Sequence, residues 1–307
     1  MSSTPSVEII RHDEEAGELV FRLRKVTLAF VSALRRVIYS EVPSLAIELV
    51  DFADNTSPLS EEVIAHRLGL VPLFYPEDIM TSHSTCTCDG TCENCEVFYT
   101  LNVMNDHETV MTVRSDELLP STRNHVTMPG QAPIVLFQLG HNQRVHFKAT
   151  ARRGTGTDHA KWCPVNNATF VVEPEIILNR DSIASLSADD RHALVTSCPR
   201  QVFELNEISK SIKVVNADAC MYCADCMELS NQFAQDYEMI PPVIVREPKD
   251  PVYRFTIESA GGVPPDVILS RALTILLGKI DLLQSSWSSL QQEKAFAFAS
   301  SSSSTFM

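Results

Sequence analysis

The sequence predicts an α+β protein in which both chain ends build one domain and a β-rich domain is inserted between them. Three observations carry that expectation. Short alternating apolar runs flank a helical stretch near the N-terminus. The middle region strings several strand-like runs around a cysteine-rich loop. The last part of the chain pairs one alternating strand with the longest helical pattern in the sequence.

In chain order, residues 7–11 and 19–23 are apolar-rich runs joined by a polar turn, which reads as a β-hairpin. Thr27 is a good N-cap for a helix over residues 28–40. In it Phe30, Val31, Leu34, Val37 and Ile38 recur at helical spacing, while Arg35 and Arg36 point elsewhere. Pro43 ends that helix. Leu45, Ile47 and Leu49 then alternate with Ala46, Glu48 and Val50 as a strand. Residues 57–69 predict a second helix, with Ser57 as cap, Pro58 at the first helical position and Gly69 in the left-handed C-terminal position. Residues 97–103, 109–113, 134–139 and 145–151 read as strands, and 168–178 as one more.

From 197 to 229 the composition shifts to cysteine and mixed polar residues. Tyr253, Phe255 and Ile257 mark a clear strand, and Pro264, Pro265 and Asp266 open a helix expected to run to about Leu290. Leu269, Ala272, Leu276, Ile280, Leu283, Trp287 and Leu290 form one apolar stripe; Ile268, Ile275 and Leu282 form another. A helix apolar on two sides is buried on two sides, so one side needs a partner. The serine-rich tail from Ser300 is expected to be disordered.

Bulk properties narrow the function. At 307 residues and 44% hydrophobic content the chain has room for two domains with real cores. A formal charge of −14 disfavours a direct grip on nucleic acid, whose phosphates are bound by Lys and Arg, and favours protein partners. The apolar run at residues 7–10 is too short for a signal core, and no stretch of about 18 apolar residues occurs, so cytosol or nucleus is the expected compartment. There the nine cysteines are better read as reduced ligands than as disulfides.

Cys86, Cys88, Cys92 and Cys95 are spaced to close a tetrahedron around one ion, with Asp89 and Gly90 supplying the turn. Zinc is the expected guest, and His83 is a nearby alternative ligand. A second set combines the run Cys220, Cys223 and Cys226 with a distant Cys198 followed by Pro199, the arrangement that holds one ferredoxin-type cluster; the run's next slot is Ser230. An iron–sulfur cluster (3Fe-4S or 4Fe-4S), a second zinc and an empty remnant stay open there. Cys163 reads as a packed small residue. His66 and His159 have no nucleophile or carboxylate at a recognised spacing and read as structural. Gly154 and Gly156 are only a weak phosphate-loop signal, lacking a third glycine and any Gly-Lys-Ser/Thr.

Residues 32–48 (SALRRVIYSEVPSLAIE) resemble the first helix and following strand of the α-like subunits of RNA polymerases. Residues 64–73 (IAHRLGLVPL), 159–164 (HAKWCP) and 255–261 (FTIESAG) resemble three further signatures of that family, in family order. The resemblance implies a dimerisation domain of residues 6–48 and 173–292, with a cysteine-rich subdomain at 196–232. It also implies an insert domain at 49–172 carrying the zinc loop 86–95, and leaves 293–307 as the tail.

It implies no catalytic residue. It implies a smaller α-like partner packed on the 266–290 helix through Leu269, Ala272, Leu276, Ile280 and Leu283, and large polymerase subunits met by Arg35 and Arg36. Within the family the Cys-x-Cys-x3-Cys-x2-Cys loop looks like that of the third-largest subunits of eukaryotic RNA polymerase II, whose compartment is the nucleus. The α-like subunits shared by polymerases I and III generally lack it. The second cysteine set resembles the ferredoxin-like subdomain of archaeal relatives. The alternatives are the polymerase I/III subunit and, from another class, a stand-alone iron–sulfur redox protein.

Overall fold

The computed structural model describes residues 4–73, 80–83, 85–88, 92, 94–120, 133–206 and 208–302, with side chains through residue 291. Asp89 and Gly90, expected to make the turn of the cysteine loop, lie outside the described residues, as do residues 303–307 of the expected tail. The chain divides into two compact units, one of residues 1–10, 21–27 and 170–255, the other of residues 11–20, 28–169 and 256–307.

The N-terminal hairpin pairs β1 (Ser6–Asp13) with β2 (Glu18–Arg24). Its turn is held by Asp13 Oδ1, which accepts the Ala16 N–H at 2.9 Å, and by Gly17 at φ 65°, a left-handed conformation that favours glycine. Helix α1 (Leu28–Ser40) buries Val31, Leu34, Val37 and Ile38 and leaves Arg35 and Arg36 exposed. Phe30 is only half-buried.

Strand β3 (Ser44–Asn55) departs from the expected alternation. Leu45, Ala46 and Ile47 are all buried, so the strand's start is covered on both faces; a bulge between Ile47 and Leu49 then shifts the register and turns Leu49 to solvent. Val50 and Phe52 then take over the inward positions. Helix α2 (Glu61–Gly69) begins later than expected: the cap is Ser60, whose Oγ accepts the Val63 N–H, not Ser57. Ser57 and Pro58 sit in the preceding turn, where Asn55 Oδ1 accepts both the N–H and the O–H of Ser57. Gly69 stays helical, and Leu70 closes the helix in a right-handed conformation. A Cβ at this position would lie 3.4 Å from the Ile47 carbonyl oxygen, an ordinary contact.

The next strands are β4 (Glu96–Met104), β5 (Met111–Arg114), β6 (Leu119–Pro120), β7 (Val135–Leu139) and β8 (Arg144–Gly154). They form an antiparallel sheet of order β3-β8-β4-β6 and a separate β5-β7 pair. Their shared core includes Ile64 and Leu68 of α2 with Leu101, Leu136, Leu139 and Phe147. Arg67 pins α2 to β7 by donating to the carbonyls of Leu136 (2.6 Å) and Val135 (2.7 Å).

The strand expected over 168–178 is two strands, β9 (Val165–Val172) and β10 (Glu175–Leu178). Pro174 separates them because it has no N–H to continue a ladder. Then follow α3 (Arg180–Ser185), α4 (Ala188–Thr196), the hairpin β11 (Phe203–Asn206) and β12 (Ser211–Val214), α5 (Asp225–Asp236), β13 (Val243–Arg246) and β14 (Val252–Ser259). β13 pairs with β10. A four-stranded sheet has the order β1-β2-β14-β9, and in it the rings of Phe21 and Phe255 stack at 5.3 Å.

Helix α6 (Pro265–Ser302) runs well past the expected end at Leu290. Its first turns bury Ile268, Arg271 and Ala272, and it packs against α1. Leu269, Ile275 and Leu276 are half-buried, and every residue from Leu277 to Gln291 is exposed. Ala272, expected on the pairing surface, is instead fully buried in its own chain, where a small side chain suits close approach. Among the described residues no helix is long and apolar enough to cross a membrane.

Candidate metal centre

The loop before β4 is folded by its own backbone. The Cys86 N–H donates to the Ser82 carbonyl (3.0 Å), and the N–H groups of Cys95 and Glu96 donate to the Cys92 carbonyl (3.2 and 3.1 Å). Thr81 N–H donates to the Asn94 carbonyl at 2.9 Å, closing the base. These turns bring the four sulfurs of Cys86, Cys88, Cys92 and Cys95 to within 4.8 Å of one another. Cys86–Cys92 and Cys92–Cys95 are 3.5 Å apart and Cys88–Cys95 is 3.7 Å. A tetrahedral ion with metal–sulfur bonds of about 2.3 Å needs edges of about 3.8 Å, so the donor set fits one zinc-sized ion.

The thiols are electrostatically unequal. The Asn94 backbone N–H and the Cys95 thiol hold Cys92 down to about 7. Burial, then sharing with Cys92, pushes Cys95 up to about 12. An ion must therefore displace the Cys95 proton, while Cys92 is ready to bind near neutral pH.

A buried ion network backs the loop. Glu96, directly after the last cysteine, is fully buried and stands opposite Arg152 in the β4–β8 register. Arg152 donates to Glu96 Oε1 through Nε (2.6 Å) and Nη2 (2.5 Å) and reaches Glu48 Oε2 at 3.2 Å. Burial draws Arg152 down, but Glu96 and Glu48 outweigh it and hold the guanidinium above its usual value. His83 Nδ1 lies 3.7 Å from both Cys95 Sγ and Glu96 Oε1. The sequence offered His83 only as an alternative ligand and did not reveal Glu96 and Arg152, whose pairing depends on a strand register that spacing does not show.

The same strand anchors the 159–164 motif. Trp162 donates its indole N–H to the Arg152 carbonyl (2.9 Å), and Ser44 Oγ donates to the Trp162 carbonyl (2.7 Å). Lys161 lies 4.3 Å from the Trp162 ring centroid and donates to the Ile47 carbonyl. His159 accepts the Lys161 N–H at 3.0 Å, and His66 is exposed on α2. Gly154 and Gly156 provide close approach: a Cβ on Gly154 would meet the Trp162 ring at 2.5 Å, and one on Gly156 the Tyr39 carbonyl oxygen at 2.1 Å. Cys163 donates to the Val165 carbonyl at 3.3 Å.

The second cysteine set gathers around one cavity lined by Cys198, Cys220, Cys223 and Cys226 with Tyr222 and Met227. Cys198 and Cys226 belong to the core of this region, beside Phe203, Ile212 and Phe233. Burial first, then the neighbouring Cys198, Cys220 and Cys223, push the Cys226 thiol up to about 11. Tyr222 (φ 56°) and Ala224 (φ 69°) alternate with the cysteines in left-handed conformations that cost non-glycine residues energy. The Tyr222 hydroxyl is buried without a hydrogen-bond partner. Ser230, the run's next slot, donates to the Val243 carbonyl and accepts its N–H, so it is occupied structurally. Among the described residues, only the first set of four closes to single-ion spacing.

Of the residues expected at interfaces, Arg35 and Arg36 are exposed on α1, with the Arg35 guanidinium 5.8 Å from the Tyr39 ring centroid. Ile280 and Leu283 are exposed on α6, while Leu269 and Leu276 are half-buried. The family model described as the RNA polymerase Rpb3/Rpb11 dimerisation domain matches residues 20–280. This chain belongs to the Rpb3/Rpb11 family. The match takes in α1, the β3-β8-β4-β6 sheet, both cysteine sets and the buried turns of α6. The Rpb3/Rpb11-type chain is 32% identical to "DNA-directed RNA polymerases II, IV and V subunit 3" of Arabidopsis thaliana, over 90% of each chain. It is 31% identical to "DNA-directed RNA polymerase II subunit rpb3" of Dictyostelium discoideum, over 92% of this chain and 95% of that one. The archaeal "DNA-directed RNA polymerase subunit Rpo3" of Methanosphaera stadtmanae is 29% identical over 90% of this chain and 96% of its own length.

Proposed function

We propose that this chain is the non-catalytic assembly subunit of a nuclear DNA-directed RNA polymerase of the polymerase II type. It pairs with a smaller α-like subunit through α6, and the pair is the platform on which the large subunits assemble. The observation that carries this reading is the exposed apolar run of α6. Leu277, Ile280, Leu282, Leu283, Trp287 and Leu290 all face solvent in the isolated chain of a dimerisation-domain family. Ile280, Leu283, Trp287 and Leu290 share one stripe; burying each fully is worth about 1.5–3 kcal/mol, so a partner helix along that stripe is strongly favoured. Arg35 and Arg36 are offered to a large subunit from the exposed face of α1. The polymerase II branch is supported by two curated relatives whose names carry that enzyme and by the four-cysteine loop.

In this reading residues 6–48 and 173–292 are the dimerisation domain and 49–172 the insert. Cys86, Cys88, Cys92 and Cys95 hold a structural zinc. Cys198, Cys220, Cys223 and Cys226 hold one iron–sulfur cluster. The four line one cavity, and a Cys-x2-Cys-x2-Cys run with a distant Cys-Pro is the arrangement that holds one such cluster. The left-handed residues 222 and 224 and the unpaired Tyr222 hydroxyl suit a cavity built around a polar guest. The guest closes this core and carries no substrate chemistry.

Leu283→Asp tests the pairing. Leu283 is 71% exposed, so the substitution spares the chain's own core. It buries an unpaired charge at the interface, at about 3–5 kcal/mol, which predicts pairing weakened roughly a hundredfold or more. Undiminished co-purification of the smaller subunit would mean the pairing surface lies elsewhere.

A further inference from the structure

Cys95 is the one thiol of its loop with no solvent exposure, whereas Cys86, Cys88 and Cys92 are partly exposed. Without metal its S–H donates to the Cys92 carbonyl. Once an ion strips that proton, the Cys95 sulfur becomes an acceptor that water cannot reach. Four thiolates around a dication also leave a net charge of about −2, and the buried Glu96 adds a further negative charge beside it. Such a site needs donors aimed at its sulfurs.

The side-chain N–H donor placed to serve Cys95, among the described residues, is His83. Its Nδ1 is 3.7 Å from the sulfur, the long reach normal for a bond to sulfur. The same nitrogen is 3.7 Å from Glu96 Oε1, which Arg152 already clamps with two donors. Glu96 Oε2 is buried and has no hydrogen-bond partner. Arg152 in turn bonds Glu48 on β3 and carries the Trp162 indole on its carbonyl, so the network runs from strand to strand into the loop.

We propose that Arg152, Glu96 and His83 form the outer shell of the metal centre, in which His83 donates its Nδ1–H to the Cys95 sulfur and thereby retains the ion. His83 is a positioning residue here and does not touch the metal. The inference rests on the zinc reading of the loop.

The test measures zinc transfer from the purified full chain to a chromophoric chelator, for the wild type, His83→Ala and His83→Gln. His83 is partly exposed, so its variants do not threaten folding. Losing the donor is expected to speed zinc release by about 10-fold or more, as outer-shell losses do, and the glutamine amide N–H is expected to restore most of the retention. Cobalt-substituted protein supplies a second readout. The proposal expects a four-sulfur spectrum in both the wild type and His83→Ala, with only the sulfur-to-cobalt charge-transfer bands shifted by the substitution. Equal release rates for His83→Ala and wild type would overturn the proposal. So would a cobalt spectrum showing a nitrogen ligand that His83→Ala removes. A wild-type chain that binds no zinc at all would instead defeat the zinc reading beneath it.

Discussion

Single residues decide how the chain beside the cysteine loop is joined to its sheet. Gly154 ends β8 where the Trp162 ring lies flat against the backbone, and a methyl group there would stand 2.5 Å from the ring. The ring cannot simply move, because its N–H is bonded to Arg152 and the carbonyl of Trp162 accepts from Ser44. Gly154→Ala is therefore expected to cost about 1–3 kcal/mol, read as a lower urea midpoint with an unchanged slope. A variant as stable as wild type would contradict the pinned ring. The gathering of Cys86, Cys88, Cys92 and Cys95 was legible as spacing alone, since the four sit in one loop. The Glu96–Arg152 pair was not, because it joins residues distant in sequence through the β4–β8 register. The paired glycines at 154 and 156 looked like a faint phosphate loop, yet both exist to admit a neighbouring ring or carbonyl.

At the scale of elements, periodicity found most helices and strands and misplaced some of their details for local reasons. The bulge in β3 turned Leu49 outward, an event that alternation cannot foresee. The start of α2 moved to Ser60 because Asn55 captured Ser57 in a turn of its own. The strand over 168–178 split at a proline that the apolar run concealed.

The two cysteine elements make a joint prediction. Anaerobically purified chain should carry one zinc per chain together with iron and acid-labile sulfide. Chain free of zinc, or free of iron and sulfide, would remove the corresponding centre. The zinc should also respond to pH in one direction. Cys92 is lowered to about 7, so its thiolate is favoured above that value and lost as pH falls through it. Cys95 is raised, so only the bound ion keeps it ionised. Zinc retention should therefore fall on acidification, as protons reclaim the sulfurs. Retention that does not change with falling pH would contradict thiolate ligation.

Over the whole molecule, one feature organises the rest. An acidic chain with no catalytic constellation in its sequence keeps its longest helix bare of cover along an apolar stripe. The need for a partner was readable from two stripes on one helix. The depth of the partner-facing part was not, because only the packing against α1 reveals that burial stops near Leu276. On the proposed function the two cysteine sets act as staples: one would fasten a loop to the β3-β8-β4-β6 sheet, the other would close the core around Phe203, Ile212 and Phe233. The central claim is that this fold is an assembly platform of a polymerase II type enzyme. The most direct measurement is affinity purification of the tagged full chain from its own cells, with mass spectrometry of what accompanies it. The account predicts a smaller α-like subunit together with the two large subunits of RNA polymerase II. Recovery of the large subunits of polymerases I and III in their place, or of no polymerase subunit at all, would contradict it.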